Sequence, residues 1–269
     1  MICTLGDLLL DVVVRLDGPI AEDTDTYGRT RVAPGGQAAN VAAWVAALGG
    51  RSRFVGVRAR DAAGRMLADE LARRRVEIAG PEVDEGTGTV VSLARPDGRR
   101  TMLTDRGASP SLDRVDPDWL AGCSTLHVPA YSLVRSPIGA ASLEAASLAR
   151  AAGARVSVDL SGTSAIEELG VERFRRTLAG IAPDLVFANE DEARLAGELA
   201  APVVVVKRGA RGCVVRERGE EQAYEALPAE VVDTTGAGDA LAAGFLVGGV
   251  ELGLEAAARC VARMGAFPP

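Results

Sequence analysis

The run Val231-Val232-Asp233-Thr234-Thr235-Gly236-Ala237-Gly238-Asp239-Ala240-Leu241 sets two hydroxyl residues and a Gly-Ala-Gly turn ahead of a carboxylate and an apolar helical pattern. Glycine has no Cβ, so backbone N–H groups in such a turn can converge on one point. A helix that starts there adds unpaired N–H groups and the positive end of its dipole. Together these make an anion hole, and phosphate is its usual guest. Asp239 in this cradle would repel phosphate, yet it is well placed to take the proton of an attacking hydroxyl. Phosphoryl transfer to an alcohol needs in-line positioning, charge neutralisation and a proton acceptor. Asp239 is therefore the candidate general base. The amides of Gly236, Ala237 and Gly238 are the candidates for stabilising charge on the transferred group. The plain alternative is a tight turn whose Asp favours a helix N-terminus.

A second motif, Gly35-Gly36-Gln37-Ala38-Ala39-Asn40-Val41-Ala42, opens an apolar helix that Gly49-Gly50 ends. Gly35 and Gly36 let backbone approach a ligand, and Asn40 can both donate to and accept from a hydroxyl. Asp11 lies in Gly6-Asp7-Leu8-Leu9-Leu10-Asp11, read as the end of a first parallel strand, where α/β sheets bind ligands. Asp7 is a weaker candidate. Lys207 begins Lys207-Arg208-Gly209-Ala210-Arg211-Gly212 after a valine run and is the single lysine of the chain. A compact ammonium serves phosphate as a point charge where a planar guanidinium does not fit. Asn189-Glu190-Asp191-Glu192 is an acidic helix start, with Glu190 and Asp191 expected at the surface. Arg106 stands where it could reach a substrate. His127, the single histidine, reads as a buried structural residue, and Trp44 and Trp119 as core or interface.

The two glycine motifs together resemble the paired signatures of the PfkB family of carbohydrate kinases, the ribokinase-like enzymes, and the resemblance covers nearly the whole chain. It implies an ATP-dependent kinase acting on a hydroxymethyl group of a small sugar or sugar derivative, with Mg²⁺ beside the nucleotide. It gives Asp239 and residues 236–238 the roles already read from their chemistry. It implies that Asp11, Gly35, Gly36 and Asn40 hold the acceptor. Asn189 and Glu192 match an Asn-x-x-Glu pattern that organises water around Mg²⁺. Lys207, Gly209 and Thr235 fall at the nucleotide. Asp233 and Thr235 match positions that in some members hold a monovalent cation such as K⁺. The ribokinase pattern has Lys-Gly where this chain has Gln37-Ala38, which points away from ribose itself.

These side chains need a scaffold, and the apolar patterning supplies one. Strand-like runs at 2–5, 53–57, 125–128, 155–159, 184–188 and 203–207 alternate with helical segments at 61–75, 136–152, 170–180, 190–199 and 239–247. Such alternation builds right-handed βαβ units, hence an α/β fold with a doubly wound, mostly parallel sheet flanked by helices. Val203-Val204-Val205-Val206 has the continuous β-branched character of a strand buried on both faces. Two segments break the rhythm, roughly 12–33 and 87–104. The second reads as a hairpin about Arg95-Pro96-Asp97-Gly98. They suggest a small β lid on a single domain spanning 1–269. In the family such a lid often clasps a homodimer. Arg73-Arg74-Arg75 reads as a solvated helix end.

The chain has 269 residues, 48% of them hydrophobic, and a formal net charge of −7, which argues against nucleic acid or an anionic membrane as partner. No apolar run is long enough to span a bilayer. The four cysteines form no CxxC pair and suit a reducing, cytoplasmic setting. Within the kinase reading, a nucleoside kinase (adenosine-, cytidine- or pseudouridine-type) competes with a sugar kinase. The 4% aromatic content favours a free sugar or sugar acid, because a nucleobase wants an apolar or aromatic slot. A sugar phosphate would need cationic ligands, for which Arg95, Arg99, Arg100 and Arg106 are candidates. A non-catalytic sugar- or nucleotide-binding protein is the reading from another class. A dinucleotide-binding oxidoreductase is rejected for want of G-x-G-x-x-G after the first strand.

Overall fold

The computed structural model describes residues 1–94 and 100–269. The first seven strands are β1 (Ile2–Leu5), β2 (Leu9–Leu16), β3 (Gly28–Gly35), β4 (Ser52–Val55), β5 (Arg58–Ala59), β6 (Val76–Ala79) and β7 (Glu82–Val83). They are followed by β8 (Thr87–Ala94), β9 (Arg100–Gly107), β10 (Thr125–Pro129) and β11 (Arg155–Asp159). The last four are β12 (Leu185–Asn189), β13 (Val203–Lys207), β14 (Cys213–Glu217) and β15 (Glu220–Tyr224). The helices are α1 (Gln37–Ala47), α2 (Ala62–Arg73), α3 (Tyr131–Val134), α4 (Ile138–Ala151) and α5 (Thr163–Leu169). They continue with α6 (Val171–Ile181), α7 (Glu190–Ala196), α8 (Ala237–Gly248) and α9 (Val250–Val261). Among the described residues no helix is long and apolar enough to cross a membrane.

The main sheet has nine strands in the order β15-β14-β13-β12-β11-β10-β1-β4-β6. All neighbours run parallel except β13 with β14 and β14 with β15. From β1 the winding goes outward through β4 and β6, and from β10 it goes the other way. The strand order therefore reverses between β1 and β10, and open α/β sheets place ligands at the carboxyl ends of strands beside that switch.

Strand alternation sends Val156, Val158, Val186 and Val204 into one core layer, against Ile138, Ala145, Ile166 and Phe174. The opposite face carries Phe187 and Val205 against Leu241 and Phe245 of α8. Trp44 of α1 is fully buried on that side, and its Nε1–H donates to the Ala266 carbonyl at 2.8 Å. This bears out its reading as a core residue.

A second sheet has four strands in the order β3-β2-β8-β9, with β2 and β3 antiparallel, β2 and β8 parallel, and β8 and β9 antiparallel. A small sheet outside the main one was expected, but its strands begin before residue 12 and run past residue 104. One consequence is a correction. Asp11 does not end the first parallel strand; it lies inside β2, opposite Ala33 of β3 and Val90 of β8. Leu9 and Leu10 belong to the small sheet because β1 stops at Leu5 and Gly6 turns the chain. The turn at 95–98, Arg95, Arg99 and the side chain of Arg100 lie outside the described residues.

The other helices shift by a few residues from the expected bounds, and α3, α5, α9, β5, β6, β7, β14 and β15 had no counterpart in the sequence reading. Arg74 is not a solvated helix end. Its guanidinium lies 5.4 Å from the Phe267 ring centroid and donates to the Pro268 carbonyl at 3.1 Å. Arg31 of β3 likewise donates to the Met264 carbonyl at 3.1 Å. Residues 264–268 thus tie α1, α2 and the small sheet together.

Candidate active site

The loop before α8 takes its shape from Gly236, the helix N-cap, at φ 77°. A Cβ there would also strike Ala266, so only glycine fits on both counts. The Ala237 N–H turns back onto the Thr234 carbonyl at 3.3 Å. Among the described residues, the Gly236 and Gly238 amides bond to no protein group. The expected trio of hole amides is thus reduced to two clear donors, with Ala237 partly spent on its own turn.

This loop is a wall between two cavities. Thr235, Gly236 and Asp239 face a cavity of about 600 Å³ beneath the small sheet. Thr234, Ala237 and Gly238 face a second, largely apolar cavity of about 480 Å³. The wall carries amide donors, the positive end of α8 and one carboxylate, the parts needed to pass a phosphoryl group from one side to the other.

Asp239 is buried, and the Asn40 Nδ2–H donates to its Oδ2 at 2.7 Å. Burial pushes the Asp239 carboxyl up to about 7. The Asn40 bond opposes this, Asp159 adds to it, and the Lys207 charge and the Gln37 amide oppose it. A carboxylate poised near neutrality is an effective proton acceptor. The Oδ1 of Asn40 is buried and has no partner, as is the Oε1 of Gln37. Two carbonyl-type acceptors therefore stand near Asp239 without donors, both closed off from solvent in this structure.

The same cavity receives Asp11 across the small sheet. Burial alone pushes its carboxyl up to about 7. Gly36, at φ 93°, brings backbone into the cavity wall, and a Cβ there would strike the Asp7 carbonyl. Gly35 lies behind the Asp11 carboxylate rather than in the cavity wall. Arg106, on β9, reaches the cavity but arrives paired. Its Nε donates to Asp7 Oδ2 at 2.8 Å and its Nη2 to Asp7 Oδ1 at 2.6 Å, with both residues buried. Arg135 on the rim is likewise paired, with Glu168 at 2.8 Å. Every described cation in this wall already faces a carboxylate.

Lys207 and Gly209 line the second cavity. The ammonium, however, is anchored: Nζ lies 2.7 Å from Asp159 Oδ2. Asn189 and Glu192 line neither cavity. They close the N-terminus of α7 on each other. Glu192 N–H donates to Asn189 Oδ1 at 2.9 Å, and Asn189 N–H donates to Glu192 Oε2 at 2.7 Å. Burial pushes the Glu192 carboxyl up. Among the described residues no group of three or more His, Cys, Asp or Glu is arranged to hold a metal directly. Asp233 is buried behind the loop, accepting from Thr235 N–H at 2.8 Å and Gly265 N–H at 3.0 Å.

Sequence reasoning missed Asp159 and undervalued Asp7 and Gln37. Asp159 ends an apolar strand run, as Asn189 and Lys207 do, and that shared position was the available signal. His127 is fully buried in β10, with Nδ1 3.1 Å from Ser157 Oγ and burial lowering its ring to about 4. That matches its structural reading. All four cysteines are free.

Comparison with known proteins agrees with this geometry. Residues 1–267 match the family model described as pfkB family carbohydrate kinase. Fructokinase-1 of Zea mays is 30% identical over 268 residues, covering 91% of this chain and 82% of that protein. The crystal structure of adenosine kinase from Sinorhizobium meliloti is 27% identical, with a TM-score of 0.86 over 99% of this chain and 95% of that one. A probable sugar kinase from Rhizobium etli CFN 42 is 25% identical, with a TM-score of 0.87 over 99% of this chain and 94% of that one. With the anion-hole loop and the buried carboxylate in place on this fold, the chain belongs to the pfkB family of carbohydrate kinases.

Proposed function

We propose that this kinase transfers the γ-phosphoryl group of ATP to a hydroxymethyl group of a small, uncharged sugar. The acceptor oxygen attacks phosphorus, its proton passes to Asp239, and the bond to the β-phosphate oxygen breaks to release ADP. The Gly236 and Gly238 amides neutralise charge on the group in flight. The observation that carries this reading is the division of residues 234–239 between two cavities, with the carboxylate on the cavity beneath the small sheet.

An uncharged acceptor follows from the polar groups in that cavity. Asp11 seeks hydroxyl donors, as a sugar provides, and the uncharged amides Asn40 and Gln37 line the same wall. Arg106, the cation a sugar acid or sugar phosphate would need, is committed to Asp7. A nucleoside acceptor is the second reading. The cavity of about 600 Å³ exceeds a single hexose, and Leu9, Val90, Met102 and Tyr131 give its wall an apolar side.

The apolar second cavity suits a nucleotide base, with Lys207 and Gly209 toward the phosphates. Mg²⁺ would arrive on those phosphates and meet Asn189 and Glu192 through water, because the two are already engaged in capping α7. A monovalent cation such as K⁺ would share Asp233 with the two amides that bond it. We also infer a homodimer through the small sheet, where Val32 and Leu103 are exposed, and a cytoplasmic setting that keeps the free cysteines reduced.

The test is ADP release from ATP and Mg²⁺, with and without K⁺, across pentoses, hexoses, sugar acids, sugar phosphates and nucleosides. Turnover with a neutral sugar is the expected result. Turnover with nucleosides alone would move the protein to the second reading. Silence on every acceptor, with ligands still bound, would leave a binding protein.

A further inference from the structure

Lys207 is the only lysine in the chain, and its ammonium meets a second residue before it meets any ligand. Lys207 ends β13 and Asp159 ends β11, with β12 between them. The lysine stem spans that intervening strand to put Nζ 2.7 Å from Asp159 Oδ2. On its other side the ammonium touches the first turn of α8: a Cβ on Gly238 would lie 3.2 Å from Nζ. A side chain at 238 would press on the cation.

Asp159 is held in one orientation. It is fully buried, and its Oδ1 accepts from the Ser161 N–H at 3.0 Å. Its backbone carbonyl accepts from the Ala130 N–H at 2.8 Å and the Ser161 hydroxyl at 3.0 Å. Ser161 pays for this turn with a left-handed backbone at φ 68°. Asp159 lines neither cavity, whereas Lys207 lines the one assigned to the nucleotide. Whatever Asp159 does for a ligand, it does through Lys207. A buried ammonium by itself would shed its proton. Here burial is outweighed by Asp159 first, then Glu192 and Asp239, and the group stays charged.

We propose that Asp159 is a positioning residue for phosphoryl transfer: it fixes the Lys207 ammonium against Gly238, where that charge meets the phosphoryl group as it passes the anion hole. This rests on the kinase reading above and adds a residue that never touches the substrate. A preset cation needs no reorganisation when charge develops, which is how fixed charges lower a barrier. A side chain that only filled space would be indifferent to whether Lys207 is present.

A single lysine allows a direct test on the unaltered protein. With ¹⁵N-lysine labelling, one side-chain ammonium signal should appear without nucleotide, slow to exchange with solvent, and it should shift when ATP and Mg²⁺ are added. A fast-exchanging signal like that of free lysine would overturn the pairing. The kinetic arm uses Asp159→Asn, Lys207→Met and the double variant. Each single change should lower kcat by about 10-fold or more while the acceptor KM stays within about 2-fold. The double variant should be no slower than Lys207→Met alone, since both changes remove one interaction. Losses that multiply, or an Asp159→Asn kcat within about 2-fold of the parent, would overturn the proposal. If Asp159→Asn does not fold, the ammonium signal decides. Absence of turnover by the parent with every acceptor would overturn the kinase reading and this role with it; turnover beside a solvent-exchanging ammonium would overturn this role alone.

Discussion

The Asn40 side chain donates to Asp239 Oδ2 at 2.7 Å, joining the first turns of α1 and α8 across most of the chain. The bond favours the ionised carboxylate while burial favours the neutral one, and the balance falls near neutrality. The same residue lines the cavity beneath the small sheet. One residue therefore orients the proposed base from the wall of that cavity.

Asp239→Asn should lower kcat by about 10²–10⁴-fold with the ATP KM little changed, because a general base acts in the transition state. Steady-state ADP release checks this, and near-parental kcat would remove Asp239 from the role. The variant should also gain stability. A carboxyl with a raised folded-state value binds protons more readily folded than unfolded, so its contribution is lost as pH rises from the ordinary carboxylate range through about 7. The melting temperature of Asp239→Asn relative to the parent should therefore be higher at pH 8 than at pH 5, by at least about 2–4 °C.

The acceptor kcat/KM should fall as pH drops below about 7, because protonated Asp239 cannot accept a proton and protonated Asp11 accepts hydroxyl bonds poorly. Two carboxyls titrating in one window give a limiting slope of about two on a log plot, and Asp11→Asn should reduce it to about one. A flat profile between pH 6 and pH 8 would contradict both assignments.

Asn40→Ala removes a hydrogen bond that holds the Asp239 carboxyl down. The midpoint of the kcat profile should move to higher pH, and kcat at pH 7 should drop by about 10-fold or more. An unmoved midpoint would mean that the contact is structural only.

On the proposed reading, the Asp7–Arg106 pair sets the charge that the cavity beneath the small sheet will take. Neutral sugars should exceed their acids and phosphates in kcat/KM by about 100-fold or more, since an anion finds no uncommitted cation among the described residues. Asp7→Asn frees the guanidinium, and the ratio should shift toward anionic acceptors even though the variant is less stable by about 3–5 kcal/mol. An unchanged ratio in a folded variant would remove this pair from specificity.

Gly236→Ala should cost about 1–3 kcal/mol for its left-handed backbone and more for the clash with Ala266. Thermal melting and kcat should fall together, because the wall between the cavities must move.

Much of this protein is local, and what is local was legible in the chain. Gly236-Ala237-Gly238-Asp239 announces a helix start with converging amides, because turn chemistry and helix polarity act within a few residues. Alternating apolar runs determined the βαβ order, and the continuous valines of β13 marked a buried strand. Tertiary structure decided the partners. Asp11 was misplaced because nothing near it in sequence shows that β1 stops at Leu5 and that the following run pairs with β3 and β8. Arg106 looked available until folding brought Asp7 to it, and Lys207 looked aimed at a ligand until β11 brought Asp159. Asn189 and Glu192 carried a recognisable spacing, yet the structure spends them first on closing α7. Residue types and spacing state what chemistry a side chain can do. Which charge it faces, and how deeply both are buried, depends on contacts between strands and helices far apart in the chain.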